Sequence, residues 1–142
     1  MQLGNEIERF KHWATTRDPL TAKYFPSEWE CDYPHWGEMY EAVRIAIDGE
    51  LNERLAQDIL YALARDNEDE FILEMLEERP KKAIYLAEQA IKFPDREARW
   101  QIAVVLGRIG SKDADRILAN LEQDEDEYVR RRAKSSKSDA GT

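Results

Sequence analysis

An all-α fold, a short solenoid of about eight helices stacked as antiparallel hairpins, is predicted by an internal repeat, a helical spacing of apolar residues and a helix-favouring composition. Asp95, Arg96, Glu97, Ala98 and Arg99 open a unit that continues through Ile102-Ala103, Leu106-Gly107, Ile109-Gly110, Ala114, Ile117-Leu118 and Leu121 to an acidic turn at Asp124. It begins again at Asp126, with Val129-Arg130 in place of Ala98-Arg99 and Ala133 in place of Ile102, an offset of 31 residues. Units of that length are helix pairs that bury their apolar faces only by stacking on neighbours. Ala98, Ile102, Leu106 and Ile109 fall on one helical stripe, with Arg99, Gln101 and Arg108 off it. The chain of 142 residues is 42% apolar and 36% charged, with six Gly and five Pro, enough to build one helical core and too few turn formers for a β-sandwich.

Each element follows from a start, a stripe and a stop. Leu3, Ile7 and Phe10 mark an opening helix that ends before Asp18-Pro19. An irregular segment over 18–35 follows, because Pro19, Pro26 and Pro34 each bias their predecessors away from helix. Met39, Val43 and Ile47 mark a helix stopped at Asp48-Gly49, and Leu51, Leu55, Ile59 and Leu63 mark the next. Two more run near Asp69–Glu78 and Lys81–Lys92, meeting at Pro80. In the clear repeat Pro94 ends the preceding helix and Asp95 caps the next, while Gly110 supplies a left-handed stop and Ser111 a new cap. Gly107 lies inside a helix, where it costs about 1 kcal/mol against Ala unless another backbone approaches closely. Close approach is the expected reason. Short connections make the helices antiparallel neighbours, and residues 1–134 are read as one domain with a polar, frayed tail over 135–142.

The pattern over roughly 95–133 resembles HEAT-type repeats, and Arg54, Leu55, Ala56, Leu60, Leu63 and Asp66 echo it more generically within 37–92. The resemblance implies a right-handed α-solenoid whose stacked hairpins present a binding surface, and hence a non-enzymatic protein-binding module. Size, acidity and the want of a catalytic motif add a class resemblance to small acidic bacterial immunity proteins, several of which are HEAT-like, and which bind and neutralise a cognate, often basic, toxin domain. A general scaffold or adaptor is the alternative reading. HEAT-like DNA glycosylases and bilin lyases share the architecture and are further alternatives.

Charge locates the candidate surface. The chain carries a net −9, but between Pro26 and Glu78 there are sixteen acidic residues against three basic ones, whereas residues 79–142 carry fourteen basic and eleven acidic. An acidic surface repels phosphate and attracts basic proteins, so the expected partner is a basic protein and not nucleic acid. Glu28, Trp29, Glu30, Asp32, Tyr33, Trp36 and Tyr40 mix rings and carboxylates within thirteen residues, a mixture found at interface hot spots. With the acidic turn Asp66, Glu68, Asp69 and Glu70 they form the candidate partner-binding set. The same rings also suit a core cap over the end of the stack, and both readings stand at this point. For Trp13 and Trp100 packing is the expectation.

No phosphate loop, nucleophile elbow or zinc-protease helix occurs, so neither enzyme chemistry nor a cofactor is expected. Cys31 and His35 beside Glu30 and Asp32 fall short of a structural zinc set, and as nucleophile and base they lack an identifiable orienting residue. His12 reads as a surface or boundary residue. Arg130, Arg131, Arg132, Lys134 and Lys137 follow a run of carboxylates on one helix, which complements the helix dipole. Arg99 and Arg130 recur at equivalent positions, with Asp95 and Asp126 as expected partners in a structural ladder. The longest apolar run, Ile59–Ala64, is far short of the ~20 residues of a membrane span, and the start of the chain lacks a signal-peptide core. A cytoplasmic location is the expectation, and a lone cysteine suits it.

Overall fold

The computed structural model describes residues 2–16 and 29–140, which form eight α-helices and one 3₁₀ turn, with no strand among the described residues. In chain order they are α1 (Gln2–Thr15), the turn Trp29–Asp32, α2 (Trp36–Asp48), α3 (Glu53–Arg65), α4 (Phe71–Glu77), α5 (Pro80–Ala90), α6 (Arg96–Ile109), α7 (Lys112–Leu121) and α8 (Glu127–Ala140). The irregular segment expected over 18–35 lies outside the described residues as far as position 28.

Short side chains set the helix starts. Asn52 Oδ1 accepts from the Leu55 amide at 2.8 Å, Asp95 from Glu97 at 2.9 Å, Ser111 Oγ from Ala114 at 3.1 Å and Asp126 Oδ1 from Val129 at 3.1 Å. Each satisfies a donor that the first helical turn leaves free, worth about 1 kcal/mol. Pro80 opens α5 at its first position, where the missing N–H is no loss. Gly110 closes α6 at φ +69°, with its N–H on the Leu106 carbonyl, a conformation that any Cβ would resist.

One buried cluster runs from Leu3, Ile7 and Phe10 of α1 to Val129 and Ala133 of α8. Helix α6 is its hub, touching α3, α4, α5, α7 and α8. Its position corrects the one-sided stripe expected for it. Ala98, Ile102 and Leu106 are buried, but so are Arg99, Trp100, Gln101, Val104 and Val105, while Ile109 is half-buried and Arg108 exposed. Polar groups on so enclosed a helix need partners. The Gln101 amide donates to the Leu63 carbonyl at 2.7 Å and to that of Glu97 at 2.9 Å. Arg99 grips the Asp124 carboxylate through Nε at 2.9 Å and Nη2 at 3.2 Å, and donates to the Phe93 carbonyl at 2.8 Å.

The arginine ladder is present, with partners other than those the sequence suggests. Arg130 donates to the Asp124 carbonyl at 2.7 Å, repeating the contact of Arg99 with Phe93 one unit earlier. Asp95 is held by Arg65, and Asp126 by Arg96 at 3.1 Å. The turn aspartates bind the arginine about thirty residues behind them because stacking sets each turn beside the previous unit. Gly107 meets α8: an added Cβ would lie 2.6 Å from both the Ser136 Cβ and its carbonyl oxygen. This contact also bears on the tail. Helix α8 continues through the expected boundary at Ser135 to Ala140, and Ser136 is buried, since the glycine gives its backbone a seat.

Candidate functional site

The proline-bracketed turn Trp29–Asp32 and the start of α2 form a tightly packed corner. The Glu30 carbonyl accepts from the Tyr33 amide at 3.1 Å and from the Trp36 indole at 2.8 Å, while the Glu30 carboxylate pairs with Arg65 of α3 at 3.0 Å. Glu30 is buried, and desolvation raises its carboxyl above the usual range against the pull of Arg65. Tyr33, also buried, meets Phe10 edge-on at 4.8 Å, Trp13 at 5.2 Å and Trp36 at 5.9 Å. These rings pack α1 against α2.

From that corner a line of rings reaches the surface. Trp36 stacks on Tyr40 at 5.2 Å with 23° between planes, and Tyr40 meets Phe71 of α4 edge-on at 5.2 Å. Phe71 is 49% exposed. The Tyr40 hydroxyl donates to Asp66 Oδ1 at 2.6 Å, and Asp66 Oδ2 accepts from the Ile72 amide at 2.9 Å, so one buried carboxylate ties α2 to the first turn of α4. Burial pushes Asp66 up to about 6 and holds the Tyr40 phenol well above its ordinary range. Between them Glu70 sits at φ +58°, a left-handed conformation that costs a non-glycine residue about 1 kcal/mol.

The fold brings the two acidic segments together. Cys31, exposed beside the first, has its thiol raised by partial desolvation and then by the fields of Asp69, Glu68, Glu30 and Asp32, so the turn at 68–69 lies within electrostatic reach of the turn at 29–32. Asp32, Glu68 and Asp69 are exposed, Glu70 is half-buried, and Trp36 and Tyr40 are half-buried, packed against the core. Glu30, Tyr33 and Asp66 are buried and hold the face from beneath. Glu28 and the side chain of Trp29 lie outside the described residues. Among the described residues, none of Glu68, Asp69, Glu70, Glu74 and Glu78 has a cation within 4 Å, although neighbouring Glu77 pairs with Arg108 and Asp48 with Arg79.

Phe71, Glu74, Met75 and Glu78 extend the face and are absent from the sequence-derived set. They line, with Tyr40, an open groove of about 370 Å³. Their signal was the spacing i, i+3, i+4, i+7 opposite the buried Ile72, Leu73 and Leu76. A helix of seven residues is too short for periodicity to show which apolar stripe faces out.

Among the described residues no three His, Cys, Asp or Glu side chains converge as a metal site. A raised thiol is a poor thiolate source, which weakens a nucleophilic role for Cys31. The basic end of α8 is engaged in packing: Arg132 lies over Trp100 at 4.8 Å, Arg131 over Tyr128 at 5.4 Å, and Lys137 pairs with Glu122 at 3.7 Å. Trp100 is buried, its indole donating to Glu97 at 2.8 Å.

No described helix is long and apolar enough to cross a membrane. No significant match was found among curated proteins or among solved structures. A family model described as HEAT repeats matches residues 60–136, more than half of the chain, running from within α3 into α8 and leaving α1, the 3₁₀ turn and α2 outside it. With the eight helices of the described residues and the repeated arginine contacts, this match places the chain in the HEAT-repeat family, whose members are generally helical scaffolds or protein-binding modules.

Proposed function

We propose that this HEAT-repeat chain binds a basic protein partner through the face formed by Asp32, Trp36, Tyr40, the turn Glu68–Glu70 and the outer stripe of α4, and that it is an immunity protein neutralising a basic toxin domain in the cytoplasm. One observation carries the reading. Five carboxylates with no cation within 4 Å among the described residues flank a line of rings that ends in a half-exposed phenylalanine. Isolated exposed apolar residues are ordinary, but a ring line continuous with the core, its polar ends turned inward and its rim rich in carboxylates, has the anatomy of an interface centre with a steering rim. The buried Glu30, Tyr33 and Asp66 preorganise it, so little ordering is lost on binding.

Co-expression tests the reading. A toxin-domain reading frame immediately upstream of the gene is the expected finding; expressed alone it should arrest growth, and co-expression of this chain should restore it. Continued arrest with soluble chain present contradicts the immunity function. A broad set of weak protein partners instead of one tight one points to an adaptor.

A further inference from the structure

We infer that the groove between α2 and α4 is an arginine subsite, taking the guanidinium of a partner's arginine in preference to a lysine ammonium. The inference rests on the basic-partner reading above and narrows it to one side chain and one place.

Tyr40 and Phe71 line one side, packed edge-to-face with centroids 5.2 Å apart at 79°; Trp36 stacks on Tyr40, so the half-exposed Phe71 ring is the aromatic surface open to a ligand. The Tyr40 hydroxyl is committed to Asp66 and does not serve a ligand. Met75 supplies a polarizable floor. Glu74 and Glu78, one turn apart at the rim, repel each other; neither has a described cation within 4 Å, although the field of Glu78 reaches the neighbouring Arg79. The nearest arginine does not serve: Arg79 turns its Nη1 to the Met75 carbonyl at 3.0 Å and its Nε and Nη2 to Asp48. The groove thus presents an aromatic wall and two acceptors to an incoming cation. A guanidinium is flat, weakly hydrated, stacks on rings and bonds carboxylates in a fork, whereas an ammonium is a compact, strongly hydrated point charge. Stacking and forked acceptance are what this groove offers.

Titration of the full chain with a soluble peptide of alternating glycine and arginine, and with its lysine and glutamate counterparts, tests the subsite. The arginine peptide binds at least about fivefold more tightly than the lysine peptide, a ratio set by desolvated cation–ring attraction, and the glutamate peptide does not bind. Phe71→Ala and the pair Glu74→Gln with Glu78→Gln each weaken the arginine peptide by about fivefold or more with helicity unchanged, because all three side chains are at the surface. Equal affinity for arginine and lysine overturns the inference. If the arginine peptide binds but is indifferent to the groove variants and sensitive to reversal of Glu68, Asp69 and Glu70, the arginine subsite falls and the basic-partner reading stands. If no cationic peptide binds, both fall.

Discussion

In the C-terminal repeat the buried charges are spoken for: Arg99 and Asp124, both below one-tenth exposed, hold each other with two hydrogen bonds. Across α2 to α4, Glu68, Asp69, Glu70, Glu74 and Glu78 have no described cation within 4 Å, and Phe71 stands among them half exposed. One region spends its polar groups on holding helices at a set spacing. The other leaves five of its carboxylates without a described cation within 4 Å and one ring half exposed, which is unfavourable for folding and useful for binding. The contrast teaches where to look for function in a stacked repeat: away from the ion-pair ladder that makes it regular.

The largest test of the scaffold half is Arg99→Ala. It strands the Asp124 carboxylate and the Phe93 carbonyl, and is expected to lower unfolding free energy by about 3 kcal/mol, read by urea denaturation. A loss below 1 kcal/mol would mean the ladder is incidental. Next is Gly107→Ala, whose Cβ would lie 2.6 Å from Ser136. Backbone must shift, so a loss of at least about 2 kcal/mol is expected, with α8 loosening first by hydrogen exchange. No loss would show that α8 is not seated on α6 at that point.

The buried tie of the other half is tested by pH. Asp66 keeps its proton to about 6 when folded and releases it near pH 4 when unfolded. Between those values the native state binds the extra proton, so this group's contribution to stability is full below about pH 4 and is lost as pH rises through about 6. Wild type should therefore lose about 1 to 2 kcal/mol relative to Asp66→Asn across that window, measured as the difference of two denaturation series. A flat difference would mean that Asp66 stays ionised throughout. The smallest expected effect is Glu70→Gly. It relieves the left-handed backbone and should stabilise by about 0.5 kcal/mol, while removing one carboxylate from the binding face. A destabilised variant would show that the Glu70 side chain serves the fold.

The two halves also differ in how far they can be read from sequence. Asp95, Ser111 and Gly110 announce the ends of α6 and α7 by residue type alone, because capping is a local interaction. Gly107 announces a close neighbour, though not that Ser136 is the neighbour. Burial of Arg99 and Gln101 was not legible, since which helix becomes the hub depends on how all the others pack. In the acidic half, composition marks the segments 28–40 and 66–70 without saying which members face out. Glu30, Tyr33 and Asp66 turn inward because Arg65, the ring cluster and the Ile72 amide are there to receive them. Phe71 escapes notice because it sits beside Ile72 and Leu73 in a short helix, and only the packed structure separates the outward residue from the inward pair.

Whether the acidic face or the C-terminal repeat over 95–133 binds the partner is read from the association rate of the arginine peptide at low ionic strength. Two triple charge reversals are compared, one at Glu68, Asp69 and Glu70, the other at Asp115, Glu125 and Glu127, three carboxylates of the C-terminal half with no described ion pair. The first is expected to slow association by about tenfold or more and to flatten its salt dependence, and the second to change it by less than about twofold. Equal slowing by the two would contradict binding through the acidic face.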